Sequence, residues 1–458
     1  MSANANIDTH QLNPAPDKEQ ENEQKNALKS EQRSDQKPDT PALRSLSPKT
    51  FSVVSPPPTN GYEQLLSIVL EALKFFPPLY IQSIFGPVMS WLPPHQTESE
   101  FNILDLWRPL RTTDYLVDVT VPAFSHAPNR WFRTFAPPLV QHLFWRPSNY
   151  FQQPDPFASD NSFANEHWFF INGVATNEPV ARMNSVLLSK LFNRPLTVVH
   201  NETDSLILDL LQAAIGKTFK TDPSLSKYQT MTEPTIKATL AILEALKAPD
   251  KDKVVVICHS QGTIIAANVL RALGKALRHV NQLHKDPGSL PTLDLQFIDE
   301  LALEVLLRGD ILEKSNTDLQ TYLTRLLSKL EVYTFANCAD RMTYVAEVKN
   351  HHGDTIGLPY IENFANQFDL VARLGVLSPL RESDPSLIKI DGPLFEKTGL
   401  AAWGHLLNQH YLFGIRDYLE GAPGQAFNPY QPMTTSARHH LPRLYSYYNG
   451  GRPAPYID

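Results

Sequence analysis

The stretch Val254–Leu270, VVVICHSQGTIIAANVL, delivers a serine to the junction between a β-branched run and a helix-forming run. A serine hydroxyl is a weak nucleophile unless it stands on a sharp turn, close to a base and to donors that hold negative charge. A strand–turn–helix junction exposes Ser260 in that way, provided the residues two before and two after it are small. Those residues are Cys258 and Gly262. Cys258 stands where the G-x-S-x-G motif has its first glycine, and is small and apolar enough to lie against the packed strand and helix. The competing reading is an ordinary βα junction in which Ser260 merely caps the helix.

A base must come within hydrogen-bond reach of Ser260. The segment AAWGHLLNQHYLFGI (401–415) carries two histidines. His405 follows Gly404 on a predicted loop, whereas His410 falls inside the predicted helix Leu406–Leu419. Carboxylates that follow predicted strands are Asp340, in NCADRM, and Asp369, in PYIENFANQFDLVARLG. Each also has an arginine nearby, Arg341 or Arg373, so each has a salt-bridge reading. His259 beside the serine reads as a pocket wall. His200, ending a strand in VVHNET, reads as a frame for a neighbouring turn or as a satisfied core residue. The pairs His351-His352 and His439-His440 lack the i, i+4 spacing of a zinc-binding helix, so no metal or cofactor is expected.

The elements needed to position these groups are legible. HWFFINGV (167–174), PLTVVHN (195–201), VVVIC (254–258), EVYTFAN (331–337) and PYIENFAN (359–366) read as strands that are apolar almost throughout. Segments 179–192, 202–216, 234–248, 261–273, 298–308 and 319–330 read as helices between or beside them. Alternating strands and helices, with strands apolar on both faces, predict a mostly parallel sheet covered by helices on both sides. TTDYLVDVTVP (112–122) alternates and is expected as an antiparallel edge strand.

The chain from about 165 to 420 resembles the α/β-hydrolase superfamily, on its lipase and esterase side. The resemblance rests on the junction around Ser260 and on the order of the segments after it. It implies the chain order Ser, acid, His. It also implies that the strand ending in Asn172-Gly173 supplies backbone donors to a developing oxyanion, where relatives often carry His-Gly. On this footing Ser260 is the nucleophile, His405 the base and Asp369 the acid, since Asp369-Leu370-Val371 resembles the Asp-x-Val of many lipases. The N–H groups of Val174 and Gln261 are the oxyanion donors. His410 and Asp340 remain as alternatives, and Asn172-Gly173 remains readable as an ordinary turn.

Composition bounds the rest. Among 458 residues the formal net charge is −7, and no Lys/Arg block is present, which argues against a nucleic-acid partner. Two cysteines make no disulfide framework and read as buried thiols. Residues 1–58 are polar, nearly free of large apolar residues, and predicted to be a disordered arm. Residues 59–458 form the hydrolase-like unit: an extension of helices and irregular chain (59–160), a core (161–420) and an irregular Pro- and Tyr-rich tail (421–458). The apolar segments in 61–95 are broken by prolines and fall short of the roughly 20 residues of a membrane span. They are expected either to pack as helices on the core or to make a peripheral membrane or lipid contact. With no classical signal peptide legible, the expected location is cytoplasmic or peripheral membrane.

The leading expectation is therefore a serine hydrolase acting on an ester with an apolar, lipid-like acyl group. An acyltransferase or thioesterase using the same three residues is the second reading. A non-catalytic, membrane-attached binding protein on the same scaffold is the third.

Overall fold

The computed structural model describes residues 97–102, 150–153, 163–173, 176–201, 233–286, 295, 297–309, 311–349, 353–399, 402–421, 428–433 and 441–456. Met1–Pro57 forms a unit of its own and lies wholly outside the described residues, as do the expected helices in 61–95 and 202–216 and the expected strand 112–122. Everything described belongs to the unit Pro58–Asp458.

The strands are β1 (Tyr150–Gln153), β2 (Glu166–Ile171), β3 (Leu196–Val199), β4 (Lys253–His259), β5 (Leu330–Phe335), β6 (Arg341–Met342), β7 (Ala346–Lys349), β8 (Thr355–Leu358), β9 (Tyr360–Asn366), β10 (Lys389–Ile390), β11 (Leu394–Lys397) and β12 (Gln431–Pro432). Eight of them form one sheet in the order β1-β3-β2-β4-β5-β9-β11-β12. From β3 to β11 the neighbours run parallel, and β1 and β12 pair antiparallel at the two edges. Every residue of β3 and β5 is buried, as is every residue of β4 after Lys253, so these strands need apolar side chains on both faces.

Helix α1 (Glu178–Phe192) follows β2, and α2 (Glu233–Lys247) and α3 (Gln261–Lys285) flank β4. Then come α4 (Phe297–Leu307) and α5 (Asn316–Ser328), followed by the short α6 (Leu370–Leu374) and α7 (Leu380–Ser383). The connection β2–α1–β3 moves one way across the sheet, whereas β3 to β4 and β4–α3–β5 move the other way. Right-handed crossovers then put α1 on one face and α2 and α3 on the other. The packing agrees: α2, α3 and α4 touch one another, while α1 touches the C-terminal segments. The winding direction reverses between β2 and β4, and the carboxyl ends of such neighbours open a crevice.

Several element boundaries differ from expectation, and three of them bear on the site. Strand β2 stops at Ile171, because Asn172 leaves the ladder and turns its side chain to Asn201. Helix α3 runs on to Lys285, since Ala272, Leu273, Ala276, Leu277 and Val280 continue a buried stripe past Leu273. The single helix expected over Leu406–Leu419 is two pieces, a π-helical turn Leu407–Leu412 and then α8 (Phe413–Leu419).

Within the tail, Arg443–Gly450 is a 3₁₀ segment that buries Leu444, Tyr445 and Tyr447. It is fastened to carboxylates in the N-terminal halves of the strands. The Tyr447 hydroxyl donates to Glu331 at 2.7 Å, the Arg443 N–H donates to Glu362 at 2.8 Å, and Arg452 reaches Glu166 at 3.0 Å. Residues 443–452 thus cover the amino ends of these strands, opposite the carboxyl ends.

Candidate active site

At the carboxyl end of β4 the chain turns directly into α3, and the residue at the turn is Ser260. Its backbone sits at φ 56°, ψ −128°, which a side-chain-bearing residue occupies only at a cost. The neighbours enforce it: the Ser260 N–H donates to the Phe335 carbonyl at the end of β5, and its own carbonyl accepts from Thr263 N–H and Oγ1. The Ser260 side chain makes no helix-capping bond, so the capping role weighed for it is not the one it plays. Instead its Oγ lies 2.9 Å from His405 Nε2.

The small residues around the turn are there for close approach. A side chain at Gly262 would strike the carbonyl groups of Ile171 and Asn172 at the end of β2. One at Gly173 would strike the Ser260 Cβ and lie 3.0 Å from its Oγ. Gly173 is therefore a contact residue of the serine rather than a generic turn glycine. Cys258 is fully buried, its thiol weakly donating to the Tyr333 carbonyl at 3.6 Å, and burial pushes its ionisation well up. It is inert packing beneath the turn.

His405 lies on the chain between β11 and the π turn. Its Nδ1 is 2.8 Å and 3.1 Å from the two oxygens of Asp369, which follows β9 by three residues. Asp369 is buried and fully engaged. It caps α6 by accepting from Val371 and Ala372 N–H, and its Oδ2 accepts from the Tyr411 hydroxyl at 2.6 Å. Burial alone would raise its pKa, but the charge and hydrogen bond of His405 and the Tyr411 hydroxyl outweigh burial and hold it below the ordinary aspartate value. Asp340, the other expected acid, sits in the turn before β6, its carbonyl accepting from Lys389 N–H.

His410 is turned away from the serine. Its Nδ1 accepts from the Leu406 N–H at 2.9 Å, and its ring packs on Trp403 and directly over Gly404, whose φ of 92° lets the chain pass. Burial drives its pKa down to about 3, so it is neutral. His259 is neutral for the same reason, buried and beside His405, with a pKa of about 3. Its Nε2 donates to the His405 carbonyl at 2.8 Å, and its ring packs against the His405 ring at 4.6 Å, tilted by 31°. A residue expected as a pocket wall holds the loop that carries His405.

Gln261, one of the two expected oxyanion donors, opens a helix of 25 residues. Its N–H is one of the four a helix leaves without an internal acceptor, at the positive end of the dipole. Val174 lies outside the described residues. A buried amide network braces the start of this helix: Asn172 Oδ1 accepts from Asn201 N–H at 2.7 Å, and Asn201 Nδ2 donates to Gln261 Oε1 at 2.6 Å. His200 donates to the Thr176 carbonyl at 2.9 Å, fixing the far end of the same loop. Among the described residues no cluster of three or more His, Cys, Asp or Glu is placed to hold a metal ion; His351-His352 and His439-His440 lie outside them. No helix among the described residues is long and apolar enough to cross a membrane.

Comparison of the chain with protein-family models, with curated proteins and with solved structures finds no match in any of the three. The functional reading therefore rests on the geometry of the site.

Proposed function

We propose that the protein is a serine hydrolase of the α/β-hydrolase type that cleaves carboxylic esters through an acyl-enzyme intermediate. The observation that carries this reading is the continuous chain Ser260 Oγ–His405 Nε2 at 2.9 Å and His405 Nδ1–Asp369 Oδ2 at 2.8 Å, ending on a serine held at positive φ. Ser260 attacks the ester carbonyl while His405 Nε2 takes its proton. Asp369 keeps Nδ1 protonated, so that Nε2 is the free base, and stabilises the imidazolium that forms. The oxyanion that develops is held by the N–H of Gln261, with Val174 as its expected second donor. The imidazolium then protonates the leaving alkoxide. In the second half-reaction His405 activates a water, which attacks the acyl-serine and frees the acid.

The sheet order and the antiparallel strands at its two edges support the hydrolase assignment, as does the placement of Ser260 at the reversal of strand winding. The test is a p-nitrophenyl ester panel together with fluorophosphonate labelling, on wild type and Ser260→Ala. Labelling and turnover that both vanish in Ser260→Ala are expected. Turnover unchanged by the substitution would refute the assignment.

A further inference from the structure

His405 is the member of the site with the least regular backbone around it, and several contacts hold that backbone. Gly404 packs under the His410 ring, the Gly404 carbonyl accepts from Asn366 Nδ2, the His405 carbonyl accepts from His259, and the Leu406 N–H donates to His410. A further contact comes from far away in sequence. The N–H groups of Asn408 and Gln409, in the first turn after the base, donate to Glu100 Oε1 at 2.7 Å and Oε2 at 2.9 Å. A turn's opening N–H groups have no internal acceptors, and here one carboxylate takes two of them. Glu100 is 5% exposed, so water does not substitute for it.

The neighbours of Glu100 join the same contact. Ser99 Oγ donates to Gln409 Oε1 and Asn408 Nδ2 donates to the Glu98 carbonyl, each at 2.7 Å. Glu98 itself pairs with Lys190 on α1 at 2.7 Å. Three consecutive residues are thus inserted between α1 and the π turn. We propose that Glu100 is a positioning residue for His405, and that residues 97–102 are a latch whose docking sets the geometry of the base. The inference rests on the hydrolase reading only for what His405 does, not for how it is held.

The latch acts through the backbone that carries the imidazole: with both carboxylate oxygens of Glu100 taken by the N–H groups of Asn408 and Gln409, the first turn after His405 is held in one position.

The experiment uses full-length protein with ¹⁵N-labelled histidine, comparing wild type, Glu100→Gln and Glu100→Asp. The His405 ring resonances are recorded by NMR at pH 7, with kcat and KM of ester turnover in parallel. Glu100→Gln loses one of the two acceptor oxygens and Glu100→Asp loses the reach, so in both the ring resonances are expected to shift and kcat to fall about 10-fold or more with KM little changed. Either variant with wild-type ring resonances and wild-type kcat would overturn the latch. Shifted ring resonances in a protein whose wild type turns over no ester would support the latch and sink the hydrolase reading instead.

Discussion

Replacing Tyr411 with Phe removes one oxygen from the centre of the site and separates what stabilises Asp369 from what the proposed reaction asks of His405. Tyr411 Oη donates to Asp369 Oδ2 at 2.6 Å and accepts from the Asn366 N–H at 3.2 Å, with Tyr411, Asp369 and Asn366 all buried. A hydrogen bond to a buried charge contributes about 1.5–3 kcal/mol, and an N–H left without its acceptor costs about 1–3 kcal/mol. The two losses share one oxygen and are not additive, so a net destabilisation of about 3 kcal/mol is expected. Asp369 keeps His405 and two backbone donors, so it stays ionised at neutral pH. Its folded-state pKa lies below the ordinary aspartate value, so the stability it contributes is present above that value and is lost as pH falls through the folded one. The substitution raises the folded pKa, and acid unfolding begins at higher pH. The effect on rate is smaller, because Asp369 still accepts from His405 Nδ1: kcat on the plateau changes less than about 10-fold. Denaturant titration at pH 7 and pH 3, with ester turnover at pH 7, reads all three quantities. Stability unchanged at both pH values would refute the account of Asp369.

Two further substitutions test the turn itself. Gly173→Ala places a methyl group against Ser260 Cβ and beside its Oγ, so fluorophosphonate labelling is expected to slow by about 100-fold or more, with secondary structure by circular dichroism retained; labelling at the wild-type rate would show that Gly173 is an ordinary turn residue. Ser260→Gly removes the side chain that makes φ 56° costly, and is expected to stabilise the inactive protein by about 1 kcal/mol, the relief of strain being partly offset by the freer unfolded chain. A thermal melt at or below wild type would contradict the assignment of strain to this residue.

The groups that were legible in the sequence are those whose position follows from an element boundary. Ser260 ends the run Val254–His259, and Asp369 and His405 each follow a recognisable strand or glycine, so local pattern and chain order were enough to nominate all three. The supporting groups have no such signature. Tyr411 lies in a run that reads as ordinary amphipathic helix, and Glu100 lies in the polar string TESEFN, in which an exposed glutamate is the default reading. Asn201 closes the expected strand 195–201 but lies two residues past the observed end of β3, and its bond to Gln261 spans 60 residues of sequence and is created by the pairing of β2 with β3 and β4. The π turn is the common cause of two of these omissions. A π turn shifts the phase of the side chains that follow it relative to an α-helix. The observed turn places Asn408 and Gln409 N–H on Glu100, His410 back on Leu406 and Tyr411 on Asp369. A 3.6-residue reading of Leu406–Leu419 cannot anticipate that arrangement, because the acceptors that support the turn, Glu100 and Asp369, come from two other parts of the chain. The irregular turn beside His405 is therefore best read as the product of its partners, and the groups invisible in local sequence are the ones that decide where the imidazole points.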